Sequence, residues 1–393
     1  MSQALRLLIG LALVAPAFAQ RDIGIVDVQA GTDTIAVSVT SSSPELQSLA
    51  AAAFNTHGRY RLVSSGGTYG FHFAAASPDS VTLSITKGSA GSPVASETVS
   101  GGSLRQALLK AADVAVAKTS GLRGYFAGKI AFVTERGGQQ TIMTSDLFFG
   151  ELQSHPVQGK EIIGPRWSPD GGRIIFTSYR TGFPDIYVLD VRAHQLNVFA
   201  SFKGTNSGAH FSPDGSRVAM ILSGEGNPDI YIGNAQGRQI KRVSHDQSVK
   251  ASPCWSPDGS RLVFTSDAAG GPQLYLMSAA GGPMSRLTTN LSRYCAEPDW
   301  STADPRKIVF TAGVGRGYQT ALYDFGTGTS RIITKAPMDS IEPVWLADGR
   351  HVLCTFRTST SRALYIVDTE SGKSVRISPS ALGSAGNASY LAP

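Results

Sequence analysis

From residue 129 onward, short apolar runs recur on a fixed beat. "KIAF" (129–132), "RIIF" (173–176), "RVAM" (217–220), "RLVF" (261–264), "KIVF" (307–310) and "HVLC" (351–354) each open on a basic residue. A second run follows each of them: "TIMTSD", "DIYVLD", "DIYIGN", "QLYLMS", "TALYDF" and "ALYIVD". A third appears as "QLNVFAS", "QIKRVS", "MSRLTT", "SRIITK" and "SVRIS". Five of the first runs are preceded by an aromatic and a turn phrase: "WSPDGG" at Trp167, "FSPDGS" at Phe211, "WSPDGS" at Trp255, "WSTADP" at Trp300 and "WLADG" at Trp345. Those aromatics are 44, 44, 45 and 45 residues apart. Runs this short, rich in β-branched and aromatic residues and bounded by Gly, Asp, Asn and Pro, predict strands. Four strands in each period of this length predict one antiparallel propeller blade.

The turn phrase is scaffold before it is anything else. Asp-Gly between two strands supplies the positive φ of a tight hairpin. Pro just before it has no N–H to donate and so ends strand pairing. The aromatic ahead of it is a plug that packs between neighbouring blades. One count does not match, because there are six "KIAF"-type strands and five aromatic strands. The missing one is expected from the chain end, "GNASYLAP", with Tyr390 in place of Trp, which closes a ring of six blades.

Residues 20–126 keep a different rhythm. "TIAVSVT" (34–40) predicts a strand, and Ser43-Pro44-Glu45 opens a helix whose apolar residues Leu46, Leu49, Ala50, Ala53 and Phe54 share one face. Gly58 is expected to end that helix. The strands "RYRLVSS", "YGFHFAAA", "SVTLSIT" and "PVASETVS" follow. A second helix runs from a capping box at Ser103 and Gln106 to Gly121. The fold class is therefore mainly β: a six-bladed β-propeller of WSPDG repeats over 127–393, preceded by a small α/β domain over 20–126.

The first residues, "MSQALRLLIGLALVAPAFAQ", join one Arg to a short apolar run and an A-x-A pattern. They predict a signal peptide over 1–19, cut between Ala19 and Gln20, and hence an exported, periplasmic protein with no membrane span. The net charge is +6, yet the basic residues are scattered singly, and no nucleic-acid partner is expected. Three cysteines, Cys254, Cys295 and Cys354, leave two readings: buried free thiols, or one disulfide and a spare. No Gly-x-Ser-x-Gly elbow, P-loop or paired-histidine motif stands in the chain. Neither enzyme activity nor a cofactor nor a metal is expected.

A leader, a small α/β domain and a ring of WSPDG repeats together resemble the TolB family of Tol–Pal systems. The junction "SLRQALLKAADVAVAKTSGLRGYFAGKIAFV" (103–133) resembles that family's helix, linker and first propeller strand. The resemblance implies a monomeric binding protein that supports outer-membrane integrity and cell division. It implies a Pal-like lipoprotein at the propeller mouth and a TolA-like protein at the mature N-terminus, with Asp22, Ile23, Ile25 and Asp27 in the contact. The competing reading is an exported propeller that binds or acts on a glycan or peptide of the envelope. The loops that enter the inner strands open onto the channel, and Glu297 and Glu342 stand three residues before Trp300 and Trp345. These two carboxylates, surrounded by Thr205, Asn206, Arg293, Tyr294 and Asp339, make a negative focus suited to a cationic partner segment or a cation.

Overall fold

In the computed structural model, residues 34–393 are described, apart from 156 and 158–160. The first strand, β1 (Ile35–Ser41), leads into α1 (Pro44–Thr56). Ser43 caps this helix by accepting the N–H of Leu46. Then come β2 (Tyr60–Leu62), β3 (Tyr69–Ser77), β4 (Ser80–Lys87), β5 (Ser92–Ser100) and α2 (Leu104–Ser120). The strands form one sheet in the order β2-β1-β3-β4-β5, with β1 parallel to both of its neighbours. Alternate side chains Val37, Val39, Phe71, Phe73, Leu83 and Ile85 are buried under the two helices. At the start of α2, Ser103 accepts the N–H of Gln106, and the Gln106 side chain reaches back to Gly102. Gly121 ends α2 in the left-handed region at φ 72°.

Gly58 does something other than end α1. The cap is His57, and Gly58 has no positive φ. A Cβ on Gly58 would lie 1.7 Å from the Asp368 carboxylate, so this glycine lets the α1–β2 turn press against the propeller.

Six four-stranded antiparallel sheets make the propeller. Their innermost strands are Ser384–Leu391 (blade 1), Ile162–Trp167 (blade 2), Asn206–Phe211 (blade 3), Lys250–Trp255 (blade 4), Cys295–Trp300 (blade 5) and Asp339–Trp345 (blade 6). The C-terminal strand pairs with Lys129–Arg136, so blade 1 joins the two ends of the ring.

Each aromatic fills a gap between blades. Trp255 packs among Ala219, Ile221 and Ile230 of blade 3 and Phe264 of blade 4. Its Nε1–H donates to the His210 carbonyl of blade 3 at 2.9 Å. In blades 2, 3 and 4 the arginine that opens the second strand has a matching role. The guanidinium of Arg173 lies over Phe211, that of Arg217 over Trp255 and that of Arg261 over Trp300, each 4.6–5.0 Å from the ring centre. In the turns, Gly171, Gly215, Gly259 and Gly349 take positive φ, as the Asp-Gly pairs require. Asp258 works through its carboxylate, which accepts from Ser256 and Ser260.

The three cysteines are free and buried. Burial pushes the Cys354 thiol up to about 12.

Candidate partner-binding site at the propeller mouth

Every inner strand carries a bulge at the same place. Pairing slips between Ile175 and Thr177 against blade 2's inner strand, and at the equivalent points of the other five blades. The residue at each bulge has positive φ: Asn387, Gly164, Gly208, Ser252, Glu297 and Glu342 in blades 1 to 6. Gly, Asn and Ser tolerate the left-handed region or suit tight turns, whereas Glu is costly there. The two glutamates are therefore held in place by contacts, and these run from blade to blade.

Glu297 Oε2 accepts the Thr311 hydroxyl at 2.7 Å and the N–H of Glu342 in the next blade at 3.1 Å. Glu342 Oε2 repeats the pattern with the Thr355 hydroxyl at 2.8 Å and the N–H of Asn387 at 2.9 Å. Each carboxylate thus ties its own second strand to the following blade. Both face a cavity of about 110 Å³ in the central channel, bounded on the far side by Gly164 and Gly208. Burial, and then the charge of Glu297, raise the Glu342 carboxyl above its ordinary value.

The residues just before the aromatics, among them Arg166, His210, Cys254 and Asp299, line the next stretch of the channel, and Arg166 and His210 also line the cavity that the glutamates face. Burial, followed by the Arg166 charge, lowers His210 to about 3. Asp299 is raised by burial and accepts the Trp345 N–H at 2.8 Å.

The other anticipated residues divide into two groups. Arg293 is exposed at the mouth, and Tyr294 beside it packs on Tyr318 with ring centres 5.0 Å apart. Thr205 is half-buried and bonds to Ser223 through its backbone. Asn206 and Asp339 turn inward. The Asn206 amide is buried against the carbonyls of Phe202 and Gly204, and Asp339 pairs with Arg357 at 2.8 Å and accepts the N–H of Tyr318. These two shape the mouth loops from within. Asp22, Ile23, Ile25 and Asp27 lie outside the described residues.

The sequence reading missed an apolar rim. Ile163, Phe183 (72% exposed), Phe202 (52%), Val249, Val314 and Met338 (46%) all stand at the end of the propeller where the inner strands begin. "TGFPD" and "SFKGT", with Phe between turn residues, held the available signal. Among the described residues, no helix is long and apolar enough to cross a membrane.

The model of the TolB β-propeller domain matches residues 116–389. The chain belongs to the TolB β-propeller family. A relative named Tol-Pal system protein TolB, from Azoarcus sp. (strain BH72), is 41% identical over 96 residues, which are 24% of this chain and 22% of the relative. Another of that name, from Methylobacillus flagellatus, is 38% identical over 104 residues, 26% of this chain and 24% of its own. The matched stretch thus spans about a quarter of these relatives' length. The crystal structure of TolB from Acinetobacter baumannii superposes with a TM-score of 0.82 at 24% identity, over 94% of this chain and 98% of that one. The family's fold is thereby extended here to the α/β unit ahead of the propeller.

Proposed function

We propose that this chain is the TolB component of a Tol–Pal system, a periplasmic binding protein that supports outer-membrane integrity and cell division. Its propeller mouth holds a Pal-like lipoprotein, and its mature N-terminal segment engages a TolA-like protein. The observation that carries this reading is the mouth itself, an apolar rim around a channel cavity lined by Glu297 and Glu342, with Arg166 on the same lining. Such a surface suits a protein segment that brings apolar side chains to the rim and a basic group to the channel. Binding is the role this geometry supports, and no enzyme activity is proposed. A glycan reading calls for aromatic platforms of Trp at the mouth, whereas Trp167, Trp255, Trp300 and Trp345 are all buried between blades.

A cross-linking pull-down with tagged full-length protein tests the class of partner, and an OmpA-like lipoprotein is the expected capture. Glu297→Gln with Glu342→Gln tests the site. Glutamine retains an oxygen to accept from Thr and the next blade's N–H, so the fold stays while the charge goes. Affinity for the lipoprotein falls at least tenfold, or about 1.4 kcal/mol, with the melting temperature kept. Unchanged affinity in the folded double variant places the site elsewhere.

A further inference from the structure

The α/β unit and the propeller share one apolar core, in which Phe54, Tyr125 and Phe126 meet Leu346, Leu353 and Ala385. A polar cluster is enclosed in it. His57, at the end of α1, and His351 of blade 6 are both fully buried, with ring centres 4.3 Å apart.

Hydrogen bonds assign the protons of both rings. His351 Nε2 accepts the N–H of Gly58 at 3.2 Å, so the ring is neutral and its proton sits on Nδ1, 2.5 Å from the Asp348 carboxylate. His57 Nδ1 accepts the N–H of Arg59 at 3.2 Å, so its proton sits on Nε2, which is buried with no acceptor. His57, Asp348 and His351 bring potential ligand atoms within 4.8 Å of one another. Yet every ring nitrogen either accepts an N–H or carries a proton, so these residues form a hydrogen-bonded contact and not a metal cage.

In that contact both rings are neutral. His351 Nε2 accepts the Gly58 N–H at the point where α1 and β2 join, and Asp368 Oδ2 lies 3.8 Å from the same nitrogen. A proton added to His57 would put a charge in the shared core. From blade 6, Asp348, Arg350, His351 and Asp368 face His57. From its own unit and the linker, the Tyr60 and Tyr125 rings pack against it. Asp368 and Glu370 hold the Arg350 guanidinium. His351 lies between the Asp348 and Asp368 carboxylates, 2.5 Å from the first and 3.8 Å from the second.

We propose that His57 is a proton-operated latch, docking the α/β unit on blade 6 when neutral and releasing it when protonated. The sign follows from burial. Burial keeps His57 well below its ordinary value of 6.5. The released form therefore binds protons that the docked form refuses, and docking weakens as pH falls below about 6.5.

Hydrogen–deuterium exchange on the full chain at pH 7.5 and 5.5, corrected for the intrinsic change in rate, tests this. Protection in the peptide holding Gly58 is expected to fall at least tenfold at pH 5.5, while the inner strand of blade 4 keeps its protection. His57→Gln takes up no proton, so much of the pH response disappears in that variant. Equal protection of the Gly58 peptide at the two pH values in the unmodified protein overturns the latch. Loss of protection in blade 4 at the same time also overturns it, because acid would then be unfolding the whole chain.

Discussion

At the scale of single residues, the repeat phrase divides into positions that fill space and positions that shape backbone. Trp255 fills space, buried between two blades with its N–H satisfied by a neighbouring carbonyl. Trp255→Ala is expected to cost roughly 3–5 kcal/mol, the range for emptying a buried aromatic site, read as a lowered urea midpoint. Asp258 shapes backbone at the surface, where its oxygens collect the hydroxyls of Ser256 and Ser260 and the Ser260 N–H. Asn in its place keeps the oxygen that accepts two of these contacts, so Asp258→Asn costs about 1 kcal/mol or less. A Trp255→Ala protein as stable as the parent removes the aromatic plug from the account. Glu297 and Glu342 belong to neither class. They occupy a left-handed column filled elsewhere by Gly, Ser and Asn, and their carboxylates join one blade to the next.

Strands, helices and blades were legible because each leaves a period in the sequence. The 44-to-45-residue beat gave six blades, and the caps at Ser43 and Ser103 gave both helix starts. Contacts between elements were not legible in this way. Tertiary closeness decides that Gly58 meets Asp368, and that Asn206 and Asp339 turn inward. The rim of Phe183, Phe202 and Met338 was missed because an isolated apolar residue in a turn has no periodicity to betray it. Asp113 of α2 shows what such contacts do for an element. Its two oxygens accept the N–H groups of Phe126 and Ala127 at 2.7 and 3.0 Å, fastening the linker to the helix. Gly124 is needed for this approach, since a Cβ there would lie 2.2 Å from Asp113. Asp113→Ala leaves two enclosed donors unpaired, at a cost of about 2–4 kcal/mol. Proteolysis of the 121–128 linker is then expected to speed up before any change in the propeller's own unfolding, and an unchanged cleavage rate would refute the fastening role.

For the whole molecule, the ring is the unit of stability, and one strand decides whether it closes. Ser384–Leu391 pairs along its length with Lys129–Arg136 and brings the bulge residue Asn387 between Glu342 and Gly164. Tyr390 stands where the other blades have Trp or Phe, and its hydroxyl donates to the Tyr125 carbonyl at 2.8 Å, binding the closure to the linker. Ser389 also accepts the N–H of Trp167, so the same strand supports the start of blade 2. Removing 384–393 would leave blade 1 with three strands, open the Lys129–Arg136 edge to solvent and take a hydrogen-bond partner from each neighbouring blade. An unpaired edge of that length is a template for association between molecules. The truncated chain is expected to melt at clearly lower temperature and to aggregate as concentration rises, while Tyr390→Phe, which loses a single hydrogen bond, stays monomeric and costs about 1 kcal/mol. A truncated chain that melts like the full one and stays monomeric would mean that the ring holds without its closing strand.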